Sequence, residues 1–244
     1  MSGHSKWATT RRQKEAVDKK RGNIFTKMGK NITVAARDGG GDPDTNFKLR
    51  IAVDQAKAVS MPKDNIERAI KKGTGELKGE AIEEVVYEAF GPDNTFFVIE
   101  ALTDNKNRTV AELRHLLSKN GGTLGGQNSV MWQFERKGII RIEDYKSKIK
   151  IKDDFELKVI DLGAEDIQEE DGDLVIYTKI DNFQKVREGL EVDGIRSDYS
   201  ELEYIPKEIK KIEVESLKEK LNKLFDALDE NDDVNNFYTN VIWN

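Results

Sequence analysis

Cysteine is missing from the 244 residues, and histidine occurs only twice. Without cysteine the chain can form neither a disulfide nor a thiolate metal site. His4 and His115 are far apart in sequence, and neither has a second ligand at a spacing that metal sites use. We therefore predict no metal centre, and we interpret His115 as a residue of a helix surface or an interface.

Long apolar runs are also missing. No stretch approaches the roughly 20 apolar residues that a membrane-spanning helix needs. The first residues are cationic but lack the apolar segment of a secretory signal. The absence of cysteine also suits a reducing compartment. We therefore expect a cytoplasmic protein that makes no contact with a membrane.

Catalytic motifs are a third absence: the sequence has no Walker motif, no G-x-S-x-G and no dinucleotide fingerprint. The glycine-rich run 121–126 follows a predicted helix, so we interpret it as a loop that needs positive φ and not as a phosphate cradle. The acidic run 169–173 lacks EF-hand spacing and is interpreted as a solvated turn. We expect no catalytic residue, no cofactor and no enzymatic activity.

Charge is present in abundance, and it is divided unevenly. The net charge is −6, but residues 1–78 contain 18 Lys and Arg against 9 Asp and Glu, which leaves −15 for the remainder. A basic segment joined to an acidic one indicates a polyanionic ligand such as nucleic acid. The residues that we predict to bind it are His4, Lys6, Trp7, Arg11, Arg12, Lys14, Lys19, Lys20, Arg21, Lys27, Lys30, Arg37, Gly39, Gly40, Gly41, Lys48, Arg50, Lys63, Arg68, Lys71 and Lys72.

Two parts of this set have an alternative interpretation. The rings of Trp7 and His4 lie next to Lys6 and would suit base stacking beside a phosphate contact, but Trp7 could equally fill a small helical core. The glycines 39–41 could approach a nucleic-acid backbone closely or could only end a helix.

Apolar residues recur at every third or fourth position in the first 72 residues, which predicts helices. The helices are predicted for 7–21 and near 24–38, 49–59 and 62–72. The second helix should end at 39–41, because three glycines followed by Asp42 and Pro43 do not continue a helix. Residues 1–78 are therefore predicted to form a basic helical domain.

From Ile82 the pattern alternates and predicts strands. The first series is strand, strand, helix, strand; Thr109 is expected to cap its helix, and its third strand would contain Val130, Trp132 and Phe134. A second series begins after Gly138.

The second series has the split βαβ order, strand, helix, strand, strand, helix, strand, with Asp181 expected to cap its second helix. After Pro206 a long helix and a strand near 237–241 supply the two elements that the first series lacks. We predict an α+β fold, in which the helical domain is joined to two two-layer, ferredoxin-like α/β domains. Residues 136–205 would form one of them, inserted into the other, which consists of 79–135 and 206–244.

Several motifs resemble the YebC family. They are Gly-His-Ser-Lys-Trp at 3–7, Lys-Arg-Gly at 20–22, Gly-Gly-Gly-Asp-Pro at 39–43, Met-Pro-Lys-Asp-Asn-Ile at 61–66 and Leu-Thr-Asp-Asn-Lys-Asn-Arg-Thr-Val at 102–110. The resemblance covers essentially the whole chain and implies three domains, one helical and two α/β. The chain departs from the family at 9–12 and at 28–31, where Gly29 costs a helix about 1 kcal/mol relative to alanine.

The YebC family has long been described as probable transcriptional regulators, and its mitochondrial members as translational activators of cytochrome c oxidase subunit one. Bacterial members similar to this chain are viewed as ribosome-associated factors that relieve stalling at proline-rich sequences. The resemblance therefore implies a translation factor, which we expect to be a monomer that contacts ribosomal RNA and tRNA and assists peptide-bond formation by positioning. A DNA-binding regulator is the alternative, because the turn 59–61 is short enough for a helix-turn-helix.

Overall fold

The structure is a computed structural model that describes residues 21–79, 81–149, 152–170 and 172–243. The predicted helix 7–21 and the predicted binding residues from His4 to Lys20 lie outside the described residues, as does the side chain of Arg21. The chain forms two compact units. One contains the described residues up to Val130 together with Ile212–Phe237, and the other contains Met131–Lys211 and the residues from Tyr238 onward.

The described helices and strands alternate in a mixed α and β order. The helices are α1 Arg21–Gly39, α2 Phe47–Ala58, α3 Lys63–Gly73, α4 Lys106–Lys119, α5 Tyr145–Lys148, α6 Lys152–Leu162, α7 Ile180–Val192 and α8 Glu215–Glu230. The strands are β1 Glu83–Gly91, β2 Thr95–Thr103, β3 Thr123–Leu124, β4 Phe134–Ile142, β5 Ala164–Glu170, β6 Asp173–Thr178, β7 Tyr199–Pro206, β8 Lys210–Lys211, β9 Val234–Thr239 and β10 Val241–Ile242.

The helices α1, α2 and α3 share one apolar core, as the periodicity predicts. Ile32 of α1, Leu49 and Ala56 of α2, and Ile66 of α3 are buried together in it. Helix α1 is also covered on a second side, where Val34 packs with two residues of the following α/β segment. Helix α1 is therefore more deeply embedded than α2 or α3.

The first sheet has the strand order β3-β1-β2-β9. Strands β1 and β2 form an antiparallel hairpin in which Tyr87 is opposite Ile99. The rings of Phe97 on β2, Phe225 on α8 and Phe237 on β9 lie with centroids 5.4 to 6.2 Å apart. This aromatic cluster holds the C-terminal helix and strand against the hairpin, and the prediction that they complete the first sheet is confirmed.

The second sheet has the order β5-β6-β4-β7. This is the order of a split βαβ domain, in which the first and third strands are neighbours at the centre. Ile140 and Ile176 of the two central strands pack with Phe155 of α6 and Val186 of α7 in a buried core. The α+β fold with a ferredoxin-like unit is therefore confirmed, whereas the exact domain boundaries stay a prediction.

The predicted strand through Val130 and Trp132 is wrong. Residues Met131–Gln133 form a 3-10 turn, and the side chain of Trp132 is 60% exposed. The third strand of the first sheet is instead the short β3, which pairs with β1.

Strand β4 runs without a break through Gly138, where a Cβ would collide with Phe183 of α7. Gly138 therefore allows a helix to lie close to the sheet and does not turn the chain.

Both predicted helix caps are also wrong. Helix α4 begins at Lys106, and its N-cap is Asn105, whose side chain accepts a hydrogen bond from the Arg108 amide at 3.1 Å. Helix α7 is preceded by Lys179, which makes no side-chain capping bond. Thr109 and Asp181 are predicted from spacing alone. Spacing cannot identify the N-cap, because several polar residues near each helix start have positions compatible with capping.

Candidate nucleic-acid interface

Helices α2 and α3 are joined by the short turn 59–62. The Met61 amide donates to the Ala56 carbonyl oxygen at 2.9 Å, and Ser60 adopts a left-handed conformation with φ +59°. The Met61 side chain is buried in the helical core. The turn therefore fixes the angle between α2 and α3, and the second helix is held with one face outward.

The outward surface of α3 is cationic. Ile66 and Ala69 are buried, whereas the four cations of the helix are exposed. We call this surface the α3 face, and its cations are Lys63, Arg68, Lys71 and Lys72. Lys63 forms an ion pair with Glu67 at 3.4 Å.

The other three cations of the α3 face differ from Lys63. In the part of the chain that the structure describes, no carboxylate pairs with Arg68, Lys71 or Lys72. The two lysines lie in the last turn of α3, where the helix dipole favours positive charge. The α3 face therefore presents cations that remain available to an external anion.

Two of the predicted binding cations point into the protein. Lys27 on α1 is buried, and its Nζ donates to the carbonyl oxygen of Asp229 at 2.7 Å. Lys30 donates to the carbonyl oxygens of Leu102 and Asp232 and to Oδ1 of Asp233 at 2.7 Å. Both ammonium groups are engaged by protein acceptors, so a phosphate would have to displace internal contacts to reach them.

Asp233 accepts hydrogen bonds from several side chains, of which Lys30 is one. Its carboxylate also accepts hydrogen bonds from Arg108 at 2.9 Å and from Thr109 at 2.7 Å, and its side chain is only 4% exposed. Burial by itself would raise the pKa of Asp233, but the hydrogen bonds from Lys30, Arg108 and Thr109 outweigh it and lower the pKa to about 2. Asp233 is therefore ionised in the folded protein, and it anchors α1 to the first sheet.

Two cations lie at the corner where α1 meets α2. Lys48 is 2.9 Å from Glu84 and 3.1 Å from Asp38, and Arg37 is 2.8 Å from Asp38. Although burial alone would raise the pKa of Asp38, the hydrogen bonds from Arg37 and Lys48 lower it. We call these four residues the α1–α2 corner. Its cations are exposed but already paired.

The glycines 39–41 connect α1 to this corner. Gly40 has φ +89°, a Cβ at Gly39 would lie 2.7 Å from the Asn46 side chain, and a Cβ at Gly41 would lie 2.7 Å from Thr74. The local structure therefore explains why each of these three positions is a glycine. The interpretation of 39–41 as the end of a helix is confirmed, and contact with a ligand stays a prediction.

Asn46 explains why the loop after Gly41 is fixed. Its side chain donates to the carbonyl oxygens of Ala35 and Gly40 at 2.7 Å and accepts a hydrogen bond from the Leu49 amide at 3.1 Å. One buried side chain thus ends α1 and begins α2. Sequence reasoning missed it, although an Asn three residues before the first stripe residue is a recognisable N-cap signal.

Arg50 is the remaining described residue of the predicted set. It is half-buried, and its guanidinium lies 5.6 Å from the centroid of the Phe47 ring. This is the geometry of a cation–π contact within α2. Its binding role stays a prediction, as do those of the other predicted site residues.

The glycine-rich run 121–126 does not resemble a phosphate cradle in the structure. Gly121 has φ +78°, as the loop interpretation requires. The backbone amides of Asn128 and Val130, which follow the run, donate to the buried Glu88 carboxylate at 2.6 and 2.7 Å. The anion that these amides bind is therefore part of the protein itself.

The acidic run 169–173 is only partly a solvated turn. Arg141 on β4 is buried and lies 2.7 Å from Glu170 and 3.2 Å from Asp173.

Among the described residues, no group of three or more acidic or histidine side chains is placed to hold a metal ion. The described part of the chain also contains no helix with the length and apolar character needed to cross a membrane.

Two family models match the sequence. The model described as TACO1/YebC protein N-terminal domain matches residues 5–76. The model described as TACO1/YebC second and third domain matches residues 82–241. The gap between the two matches falls between α3 and β1.

Full-length relatives and a solved structure are similar to the chain. A probable transcriptional regulatory protein of Caldanaerobacter subterraneus subsp. tengcongensis is 48% identical over 99% of this chain and 98% of its own length. One from Fervidobacterium nodosum is 51% identical over 98% and 93%. The crystal structure of a conserved hypothetical protein from Aquifex aeolicus is 41% identical, with a TM-score of 0.80 over 93% of each chain.

Proposed function

Because the chain belongs to the TACO1/YebC family, we propose that it is a regulatory protein whose helical domain binds duplex DNA. The relatives' description as probable transcriptional regulatory proteins favours DNA over the ribosomal RNA that the sequence motifs favoured. The observation that carries the proposal is the α3 face, where Arg68, Lys71 and Lys72 have no carboxylate partner among the described residues and lie on the second helix of a helix–turn–helix pair.

The proposed mode of binding is the one that helix-turn-helix proteins use. In helix-turn-helix proteins the second helix enters the major groove, and phosphate contacts fix its register. Arg68, Lys71 and Lys72 would neutralise phosphates and release counterions, so the affinity would fall steeply with salt. The protein would act by occupying and orienting nucleic acid, with no bond made or broken, as a cytoplasmic monomer.

A double charge reversal on α3 tests this function. We expect Arg68→Glu with Lys71→Glu to weaken binding of a random-sequence duplex by about tenfold or more, because two attractive contacts become repulsive. The slope of log affinity against log salt should fall by about 1.8, which corresponds to two lost phosphate contacts. Fluorescence anisotropy at several salt concentrations would measure both quantities.

The matched control is Lys220→Glu with Lys223→Glu on α8. These lysines are exposed, have the same three-residue spacing and lie in the same compact unit. Equal losses of affinity in the two double variants would mean that only the total charge matters. The assignment of the α3 face would then be wrong.

A second candidate is a ribosome-associated translation factor. The run 3–7, with a tryptophan and a histidine beside Lys6 in the sequence, supports RNA because aromatic rings can stack on unpaired bases. In this case the basic domain would dock on ribosomal RNA, and the protein would assist peptide-bond formation at proline-rich sequences by positioning tRNA.

Translation in vitro of a reporter with consecutive proline codons separates the two candidates. A translation factor should shorten the pause at concentrations where it sediments with ribosomes. An unchanged pause, together with duplex binding that depends on Arg68 and Lys71, would exclude the second candidate and support the first.

A further inference from the structure

The exposed cations of the helical domain are of two kinds. Arg68, Lys71 and Lys72 on the α3 face have no carboxylate partner among the described residues. Arg37 and Lys48 at the α1–α2 corner are held by Asp38 and Glu84. A nucleic acid that reaches the corner must therefore replace protein carboxylates, whereas at Arg68, Lys71 and Lys72 it replaces only water and salt ions.

The partners at the corner hold Lys48 from two directions. Asp38 is at the end of α1, and Glu84 is near the start of β1, outside the three helices. Lys48 lies 3.1 Å from the first carboxylate and 2.9 Å from the second, and hydrogen bonding to Glu84 contributes to raising its pKa although burial opposes this. The two acids occupy positions around the ammonium that a phosphate oxygen would otherwise take.

These ion pairs are weak enough to exchange. The side chains of Lys48 and Glu84 are 55% and 51% exposed, and exposed ion pairs typically add little to stability. A phosphodiester group of a bound nucleic acid could therefore displace Glu84 at a small cost. The pair would lower the affinity of the corner without abolishing its binding.

We propose that Glu84 competes with the nucleic-acid backbone for Lys48. The α1–α2 corner would then bind a phosphate only when that phosphate displaces Glu84 from Lys48. Nucleic acid would then bind the helical domain in two steps. It would first contact the α3 face, and a phosphate would then replace Glu84 at Lys48 of the α1–α2 corner. This inference rests on the proposed function, because it requires that the helical domain binds nucleic acid.

Glu84→Gln tests the competition, and Glu83→Gln is the matched control. Glu83 is the preceding residue on β1, is similarly exposed, and pairs with Lys106 at 2.5 Å, a lysine outside the predicted binding set. Each variant removes one negative charge from the start of β1, but Glu84 contacts Lys48 whereas Glu83 contacts Lys106. We expect Glu84→Gln to bind a random-sequence duplex about twofold to fivefold more tightly than Glu83→Gln. Thermal unfolding of both proteins would show that the fold is retained.

A double-mutant cycle makes the test specific for Lys48. Lys48→Ala should weaken binding by about twofold or less in the wild-type background but by about fivefold in Glu84→Gln, where the competitor is gone. A single-stranded RNA probe run in parallel shows whether the exchange applies to either backbone.

The outcomes separate the two proposals. If the wild type binds neither the duplex nor the RNA, the proposed function is wrong and the competition fails with it. If the wild type binds but Glu84→Gln matches Glu83→Gln, or if the Lys48→Ala losses are equal in both backgrounds, only the proposed competition is wrong.

Discussion

Helices α1 and α3 are both rich in cations, but the structure gives their cations different surroundings. Lys27 and Lys30 on α1 donate to acceptors inside the protein, whereas Arg68 and Lys71 on α3 face outward. The difference follows from packing, because α1 is covered on two sides and α3 on one. A count of positive charge therefore overstates the binding surface wherever a helix is embedded.

Removing Lys30 should give the largest effect. Lys30→Met leaves the Asp233 carboxylate, which is 4% exposed, without its closest cation. Breaking such a pair typically costs about 3–5 kcal/mol. We expect the free energy of unfolding to fall by about 3 kcal/mol in urea titrations, because Arg108 still pairs with Asp233.

The control for this comparison is Lys71→Met on α3, which should change stability by less than about 0.5 kcal/mol because Lys71 is exposed and has no carboxylate partner among the described residues. Similar destabilisation by the two variants would remove the distinction between the helices.

Acid should act on α1 through Asp233. The folded-state pKa of Asp233 is lowered to about 2 from the ordinary 3.8, so its contribution is fully present above the ordinary value and is lost as the pH falls through the folded one. We expect the wild type to lose about 1–2 kcal/mol through this group between pH 4 and pH 2, allowing for solvent screening.

Asp233→Asn supplies the comparison for the acid effect. It should be less stable than the wild type at neutral pH, and the difference should shrink as the pH falls from 4 to 2. Unfolding curves at several pH values measure this directly. A difference that stays constant over this range would show that Asp233 does not carry the effect.

Gly29→Ala should give the smallest effect and the opposite sign. Gly29 lies within the continuous helix α1, and a Cβ there would be 3.8 Å from the Met61 side chain, an ordinary van der Waals contact. Alanine should therefore stabilise the protein by about 1 kcal/mol. If the proposed function is correct, the affinity of this variant for a random-sequence duplex should stay at the wild-type value, and a change in affinity would link α1 to binding.

The helices and the split βαβ order could be predicted from the sequence, because both rest on local periodicity. The close approach at Gly138 could not, since the Phe183 ring that requires it comes from another element. The inward direction of Lys30 is a stronger case. Its partner Asp233 is 203 residues away in sequence, and no local pattern distinguishes Lys30 from the exposed lysines of α3.

The separation between Lys30 and Asp233 also affects the order in which the protein can mature during synthesis. Ribosomes add about 5–20 residues per second, so a span of 203 residues leaves Lys30 without its Asp233 partner for about 10–40 s. The helices α1, α2 and α3 can already share their core during that interval. Val34 of α1 can also pack against Ile82 and Leu102 before residue 233 is made, whereas the Lys30–Asp233 ion pair must wait for the segment that carries Asp233.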